Sequence, residues 1–359
     1  MNIRQAMKSD LPGILELVNT VFCRANQKPE TMGSQFPLLF SEDNVKHLWV
    51  ADDEGQIVSH VGAFVTEALV EGVPVTIASI GSVATATSYR GRGLSSRLLQ
   101  MAWKQLREEQ VDIVLVSGNR GLYFRNGCYQ AGTMYFFIMK ERAEPMGGYA
   151  LKKANQMTSC VSQTFIDLEK GERTRFLRTP KEFRQLYEAA GYCRIFPWRQ
   201  EAYFVQTQHQ TVAYFILGFE EIKGNREKAH IIEFHGDRKA VAVGLLQLYN
   251  NYETLSEMIV PVLKQDPLCR CLETLGITKS NSLPYPGTMK LLNPRRFWLK
   301  FKDILCFNNA DSVFRYDPST GMYSLYEGHA CRWQGMEEQF AQWVFSYITP
   351  PWPNGLNYI

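Results

Sequence analysis

The chain has 359 residues, a net charge of +3, 45% hydrophobic and 21% charged residues. Those values describe a folded globular chain of two or three domains, not a disordered one. The small net charge supplies no global field for nucleic acid or an acidic membrane. The eight cysteines are scattered, and only Cys269 and Cys271 lie close together; that spacing fits neither a disulfide framework nor a zinc site. Arg4, Lys8, Asp10 and Glu16 stand where a secretory signal needs an apolar core. The uncharged stretches 72–89 and 339–359 are broken by Gly, Pro, Ser and Thr or by three prolines, so neither reads as a membrane span. The expectation is a cytoplasmic protein in a reducing compartment, with no nucleic acid, membrane or metal as partner.

Along the chain, Leu11, Ile14, Leu15, Val18 and Phe22 mark one face of a helix over 11–22, with Pro12 in its first turn. Residues 47–51, 56–69 and 73–85 read as strands, the last two joined by a turn at Glu71-Gly72. A helix is predicted over 95–109, burying Leu98, Leu99, Ala102, Trp103 and Leu106. Residues 111–116 are apolar apart from Asp112, as for a strand covered on both faces. A short helix at 122–125 and a strand at 129–139 follow. The strand–helix–strand–helix order recurs with strands at 212–219 and 229–234, a helix at 240–252, a strand at 256–262 and a helix at 267–275. A further helix is predicted over 180–190. The final region opens with a basic, aromatic stretch at 293–298, continues with strands at 312–316 and 322–325, and has a helix at 336–345. Arg295 and Arg296 read as solvated. The last eight residues include Trp352, Leu356, Tyr358 and Ile359, an unusually apolar tail that is expected to pack.

The most specific segment is 82–99, SVATATSYRGRGLSSRLL. A strand runs into a loop with two glycines and two arginines, which opens an amphipathic helix. Glycines let the backbone turn its N–H groups inward, and the helix start adds unpaired N–H groups and partial positive charge. Arg90 and Arg92 add full charges. The predicted use is a pyrophosphate cradle; the alternative is a tight strand-to-helix turn with two solvated arginines. In the second copy the corresponding loop is His235-Gly236-Asp237-Arg238-Lys239, with one glycine and an acid.

Arg90-Gly91-Arg92-Gly93-Leu94 after the strand resembles the acetyl-CoA loop of the GNAT (Gcn5-related) N-acetyltransferases, whose pattern is Gln/Arg-x-x-Gly-x-Gly/Ala. Arg90 and Gly93 match, and Ser95 departs at the last position. Leu122-Tyr123-Phe124-Arg125-Asn126-Gly127-Cys128 resembles the family's Tyr-x-x-x-Gly-Phe/Tyr segment. Over its whole length the chain resembles the multi-domain enhanced intracellular survival (Eis) group. That resemblance implies an α/β (α+β, mixed-sheet) architecture: a catalytic GNAT domain at 1–150, a degenerate GNAT-like domain at 151–287, and a sterol-carrier-protein-like domain at 288–359. The last region is short for the group.

The resemblance implies an acetyl-CoA-dependent N-acetyltransferase acting on a small-molecule or peptide amine. The rival is a non-catalytic acyl-CoA-binding interaction protein; self-association stays open in either case. Val83, Ala84 and Thr85 are implied to pair with the pantetheine arm, as an added strand would. Gly91, Arg92, Gly93, Leu94, Ser95 and Ser96, with Arg90, are implied to cradle the pyrophosphate, and Asn119 to touch the arm from the opposite side. An alkylamine with pKa near ~10.4 must lose a proton before it attacks a thioester, and the leaving thiolate benefits from a proton donor. Tyr123 is implied as that donor, with a packed, incidental tyrosine as the alternative. For the base, residues 73–87 hold no Asp or Glu. His60 and Glu67 are candidates from the preceding strand, each with a structural role as its alternative. In the Eis group the chain's own terminal carboxylate reaches the active site, which would here be that of Ile359.

Overall fold

The computed structural model describes residues 1–142 and 147–359. They form two compact units, the first comprising Met1–Ala131, Pro286–Pro353 and Ile359, and the second Gly132–Tyr285 and Asn354–Tyr358. This division differs from the expected one. The breaks fall at 131/132 and 285/286, and residues 286–353 cluster with the first 131 instead of standing alone.

The first unit contains β1 (Asn2–Gln5), α1 (Leu11–Phe22), α2 (Met32–Gln35), β2 (Leu48–Asp53), β3 (Gln56–Val70), β4 (Val73–Thr85), α3 (Leu94–Glu108), β5 (Ile113–Val116) and α4 (Gly121–Arg125). From the later segment it takes β15 (Thr288–Leu291), α10 (Pro294–Phe301), β16 (Ser312–Asp317), β17 (Met322–Glu327), β18 (Ala330–Gly335) and α11 (Glu337–Tyr347). Its main sheet has the order β1-β2-β3-β4-β5-β15. Only β4 and β5 in that order are parallel, and α3 is the crossover between them. Glu71 and Gly72 both have positive φ, at +49° and +81°. That is the backbone a two-residue hairpin needs to match strand twist. Leu98, Leu99, Ala102, Trp103 and Leu106 of α3 are buried, as their spacing predicts.

The segment after β15 adds a helix and corrects one local expectation. The stretch at 293–298 begins a helix, α10. Asn293 caps it by accepting from the Arg296 amide at 3.0 Å, Pro294 fits its first turn, and Phe297, Trp298 and Phe301 are buried. Arg296 is not simply solvated: its Nε lies 3.4 Å from Oδ1 of the fully buried Asp112, while Lys300 Nζ lies 2.7 Å from Oδ2. A buried carboxylate demands such partners, and they join α10 to the start of β5.

The second unit contains β6 (Thr133–Met139), β7 (Ala150–Lys153), α5 (Ser159–Glu169), β8 (Arg175–Phe176), α6 (Pro180–Ala189), α7 (Gly191–Ile195), β9 (Arg199–Gln206), β10 (Thr211–Ile222), β11 (Arg226–Gly236), α8 (Arg238–Asn251), β12 (Leu255–Leu263), α9 (Leu268–Thr274), β13 (Thr278–Lys279) and β14 (Leu283–Pro284). Its sheet runs β13-β6-β12-β11-β10-β9-β7. Here β11 and β12 are the parallel pair and α8 the crossover. The architectural repeat read from the sequence is therefore present: β4–α3–β5 in one unit, β11–α8–β12 in the other.

Each parallel pair gains an antiparallel neighbour from a distant part of the chain. Beside β5 lies β15, with Thr288 opposite Val116 and Leu291 opposite Ile113. Beside β12 lies β6, from Met258 opposite Met139 to Leu263 opposite Met134. The strand expected at 129–139 in the first domain thus belongs to the second unit. β6 is strongly apolar and β15 is buried at all four positions, but neither sequence names its partner.

Candidate functional site

The site is built around the far end of β4. Its register with β5 ends at Ile80↔Val116, while its pairing with β3 continues to Ser59↔Thr85. The β3–β4 register shifts between His60 and Gly62, and Ser82 has φ +53°. A bulge at this point turns the strand. Beyond it lie Val83, Ala84 and Thr85, the residues implied to meet a pantetheine arm.

The following loop is tied down locally. Arg90 Nε donates to Thr85 O at 3.3 Å, and Arg92 Nη2 to Ser88 O at 3.1 Å. The Arg92 guanidinium also lies over the Tyr89 ring, 4.7 Å from its centre, and Tyr89 donates to Asp53 at 2.8 Å. Gly91 and Gly93 have φ of +78° and +72°, and a Cβ on either would meet nothing within 4 Å. Glycine is therefore demanded by backbone conformation, and the space beside both is open. Gly93 caps α3, whose first-turn amides at Leu94, Ser95 and Ser96 have no acceptor within the helix. The Thr85 and Ser95 hydroxyls are 2.8 Å apart, which fixes the strand end against the helix start. This is an anion cradle in form: open glycines, oriented amides and exposed cationic side chains.

Tyr123, on α4, is buried in the cluster that holds Ile80, Val116, Leu98 and Leu99, with Val83 packed against it. A methyl group on Gly118 would lie 3.1 Å from its ring, so the ring is seated against the backbone after β5. Asn119 is exposed in that same connection.

His60 is fully buried. Its Nδ1 is 2.9 Å from Ser82 O, and Phe40 packs with ring centres 6.0 Å apart. Burial pushes its pKa down to about 4, against the opposing hydrogen bond to Ser82. The ring is neutral at pH 7. With Nδ1 donating to the carbonyl, Nε2 carries the lone pair. Nε2 has no hydrogen-bond partner among the described residues. Glu67 is exposed and opposite Thr76, about 17 Å along an extended strand from Gly81. The structure does not bring Glu67 to this site. Ile359 does lie on it: a methyl group on Gly81 would be 2.6 Å from the Ile359 carboxyl carbon and 2.8 Å from its oxygen. Only Gly81 lets that group approach the strand so closely, a requirement with no signature in local sequence pattern.

In the second unit the corresponding loop is filled by the chain's own carboxylates. The Gly236 amide donates to Glu172 Oε1 at 2.8 Å. Arg238 grips Glu172 through Nη1 and Nη2 at 2.6 and 2.7 Å, and reaches Asp266 through Nε at 2.9 Å. Asp237 caps α8 through the Ala240 amide at 2.7 Å. Burial opposes charge on Glu172, yet the nearby His235 ring, 3.6 Å away, and the Arg238 guanidinium outweigh it and hold the carboxyl well below its usual range. Nearby, Glu169, Glu233 and His235 bring possible ligand atoms within 4.8 Å of one another. The position among the carboxylates is already taken by Arg178, whose Nη2 is 2.5 Å from Glu169 Oε1 and 2.6 Å from Glu233 Oε1. His230 lies apart from His235 in role, stacked on Trp198 at 4.0 Å.

No helix among the described residues is long and apolar enough to cross a membrane. Residues 2–131 match the acetyltransferase (GNAT) domain family. No curated protein is similar enough in sequence to match. Among solved structures, the chain is similar to a GCN5-related N-acetyltransferase from Anabaena variabilis, with TM-score 0.67, 12% identity, and 95% of this chain and 89% of that one covered. It is similar to a probable N-acyltransferase from Enterococcus faecalis, with TM-score 0.68, 14% identity, and coverage of 95% and 88%. It is also similar to Eis1 from Mycobacterium abscessus, with TM-score 0.65, 11% identity, and coverage of 95% and 89%. At these identities the likeness is one of fold.

Proposed function

We propose that this chain, which carries a GNAT acetyltransferase domain over residues 2–131, transfers the acetyl group of acetyl-CoA to a primary amine on a small molecule or peptide. The observation that carries the reading is the pair of open, positive-φ glycines, Gly91 and Gly93, at the start of α3, directly after a bulged strand that continues past its parallel neighbour. The backbone of Val83, Ala84 and Thr85 would receive the pantetheine amides. Arg90, Gly91, Arg92, Gly93, Leu94, Ser95 and Ser96 would hold the pyrophosphate, and Asn119 would meet the arm from the β5 side.

Tyr123 would give its proton to the departing thiolate. The Ile359 carboxyl group, of a type ordinarily ionised at neutral pH, would take or relay a proton from the substrate ammonium, leaving a neutral amine to attack. His60 offers no markedly stronger base, because burial pushes its pKa down to about 4. The second unit would be a degenerate GNAT-like repeat, since Glu172 stands where an anion would lie. The sterol-carrier-like reading of residues 288–359 rests on the Eis resemblance.

The test is release of free thiol from acetyl-CoA across a panel of aminoglycosides, polyamines and lysine peptides. Amine-dependent release supports the enzyme. Tight acetyl-CoA binding with no release for any amine favours the non-catalytic acyl-CoA-binding alternative.

A further inference from the structure

β15 is buried at all four positions, yet two of them are polar: Thr288 is 0% and Lys290 8% exposed. An apolar residue at either place would serve core packing without the desolvation that a hydroxyl or ammonium brings. Both side chains project from the same face of the strand, being two residues apart. Both donate to backbone carbonyls of a single segment. Thr288 Oγ1 donates to Gly118 O at 3.1 Å, and Lys290 Nζ donates to Gly127 O at 3.1 Å. Glu337 neutralises the lysine at 2.7 Å.

The segment between those two carbonyls carries Tyr123. On the Thr288 side, Gly118 is the backbone against which the Tyr123 ring is seated. On the Lys290 side, Gly127 lies within a turn hydrogen-bonded to Tyr123 itself, for the amides of Asn126 and Cys128 both donate to Tyr123 O at 3.0 Å. Gly127 has φ +75°, a conformation that favours glycine, and a Cβ there would lie 2.6 Å from Lys290 Nζ, so a side chain at 127 would push the ammonium aside. Just beyond, Tyr129 and Met289 exchange backbone hydrogen bonds at 2.7 and 2.8 Å. The strand therefore grips the α4 segment before and after the tyrosine.

We propose that Thr288 and Lys290 are positioning residues for Tyr123: they clamp both ends of the 118–127 segment and so set where its hydroxyl stands. The inference rests on the reading of Tyr123 as the proton donor. A donor displaced by a fraction of an ångström to an ångström loses much of its effect.

The test is a double-mutant cycle on the full chain, with Lys290→Met and Tyr123→Phe alone and together, using free-thiol release with the amine found in the panel. Lys290→Met is expected to lower turnover by about 10–100-fold, with the calorimetric acetyl-CoA affinity unchanged. In the Tyr123→Phe background the same change is expected to cost little further, because the group it places is gone. Equal losses in both backgrounds, or native turnover in Lys290→Met, overturn the inference while leaving the role of Tyr123 intact. Native turnover in Tyr123→Phe overturns the reading of Tyr123, and the clamp's catalytic part with it. Where Lys290→Met does not fold, Thr288→Val, which exchanges the hydroxyl for a methyl group of similar size, carries the same cycle. A panel in which no amine releases thiol overturns both.

Discussion

Gly81 and Ile359 meet so closely that a single methyl group on the glycine would lie 2.6 Å from the carboxyl carbon of the isoleucine. That contact sits one residue before the bulge at Ser82. It links the terminal carboxyl group to the strand that leads to the glycine loop at the start of α3. Gly81→Ala is expected to displace Ile359 and lower acetyl transfer by about 10–100-fold, with acetyl-CoA affinity within a few-fold of native. Extending the chain beyond Ile359 moves the charge and converts the carboxyl to an amide, with the same expected direction. Native turnover in a folded, uncleaved extended chain would remove Ile359 from the reaction.

Gly93→Asp is expected to abolish acetyl-CoA binding. Its φ of +72° strains any side chain, and the open space beside it, the proposed place of the pyrophosphate, would receive a negative charge. Gly93→Ala carries the strain, about 1–2 kcal/mol, without the charge, and should keep measurable binding. Calorimetric titration of both separates conformation from repulsion. Unchanged affinity in folded Gly93→Asp rules out this cradle.

Tyr123→Phe keeps the packed ring and removes the hydroxyl. It is expected to slow turnover by about 10²–10⁴-fold, the usual contribution of a general acid or base, while acetyl-CoA affinity stays close to native. The measurement belongs under conditions where chemistry limits the rate.

One acetyl-CoA per chain is the expected stoichiometry. In the second unit the Gly236 amide and the Arg238 guanidinium are already satisfied by Glu172, so a phosphate would have to displace a bidentate carboxylate. Calorimetry that returns two sites would refute the degenerate reading of that loop.

Stability should carry a signature of His60. Its folded pKa, about 4, lies below the ordinary 6.5, and burial is the main cause. Between those values the unfolded chain binds more protons, so stability rises with pH across the window. The contribution is complete above about pH 6.5 and is lost as pH falls toward 4, amounting to about 2 kcal/mol of loss by pH 5. Urea midpoints at pH 7.5 and 5 should converge in His60→Gln relative to the native chain. An identical pH dependence in the two proteins would contradict the buried, neutral assignment.

Local sequence determined what local physics controls. The apolar spacing of residues 11–22 fixed α1, and the five apolar residues of α3 fixed its buried face. Gly72 between two apolar, β-branched runs announced a turn, since glycine adopts positive φ without strain. The glycines at 91 and 93 announced a positive-φ loop at a helix start. The alternation of strand and helix gave the repeat, since helical and strand periods are visible within a dozen residues.

Tertiary structure alone decided which strand completes each sheet. Nothing in the apolar run Ile113–Val116 names Thr288–Leu291 as its partner, because burial on both faces leaves no alternating pattern to read. Thr288 and Gly118 are 170 residues apart, and their hydrogen bond has no local period. The same holds for Asp112 with Lys300, for Glu172 at the start of α8, and for Gly81 beneath Ile359. In each case the chemistry of one residue is set by a neighbour that only chain folding brings near. A sequence shows the valence of such a group, and the fold chooses what satisfies it.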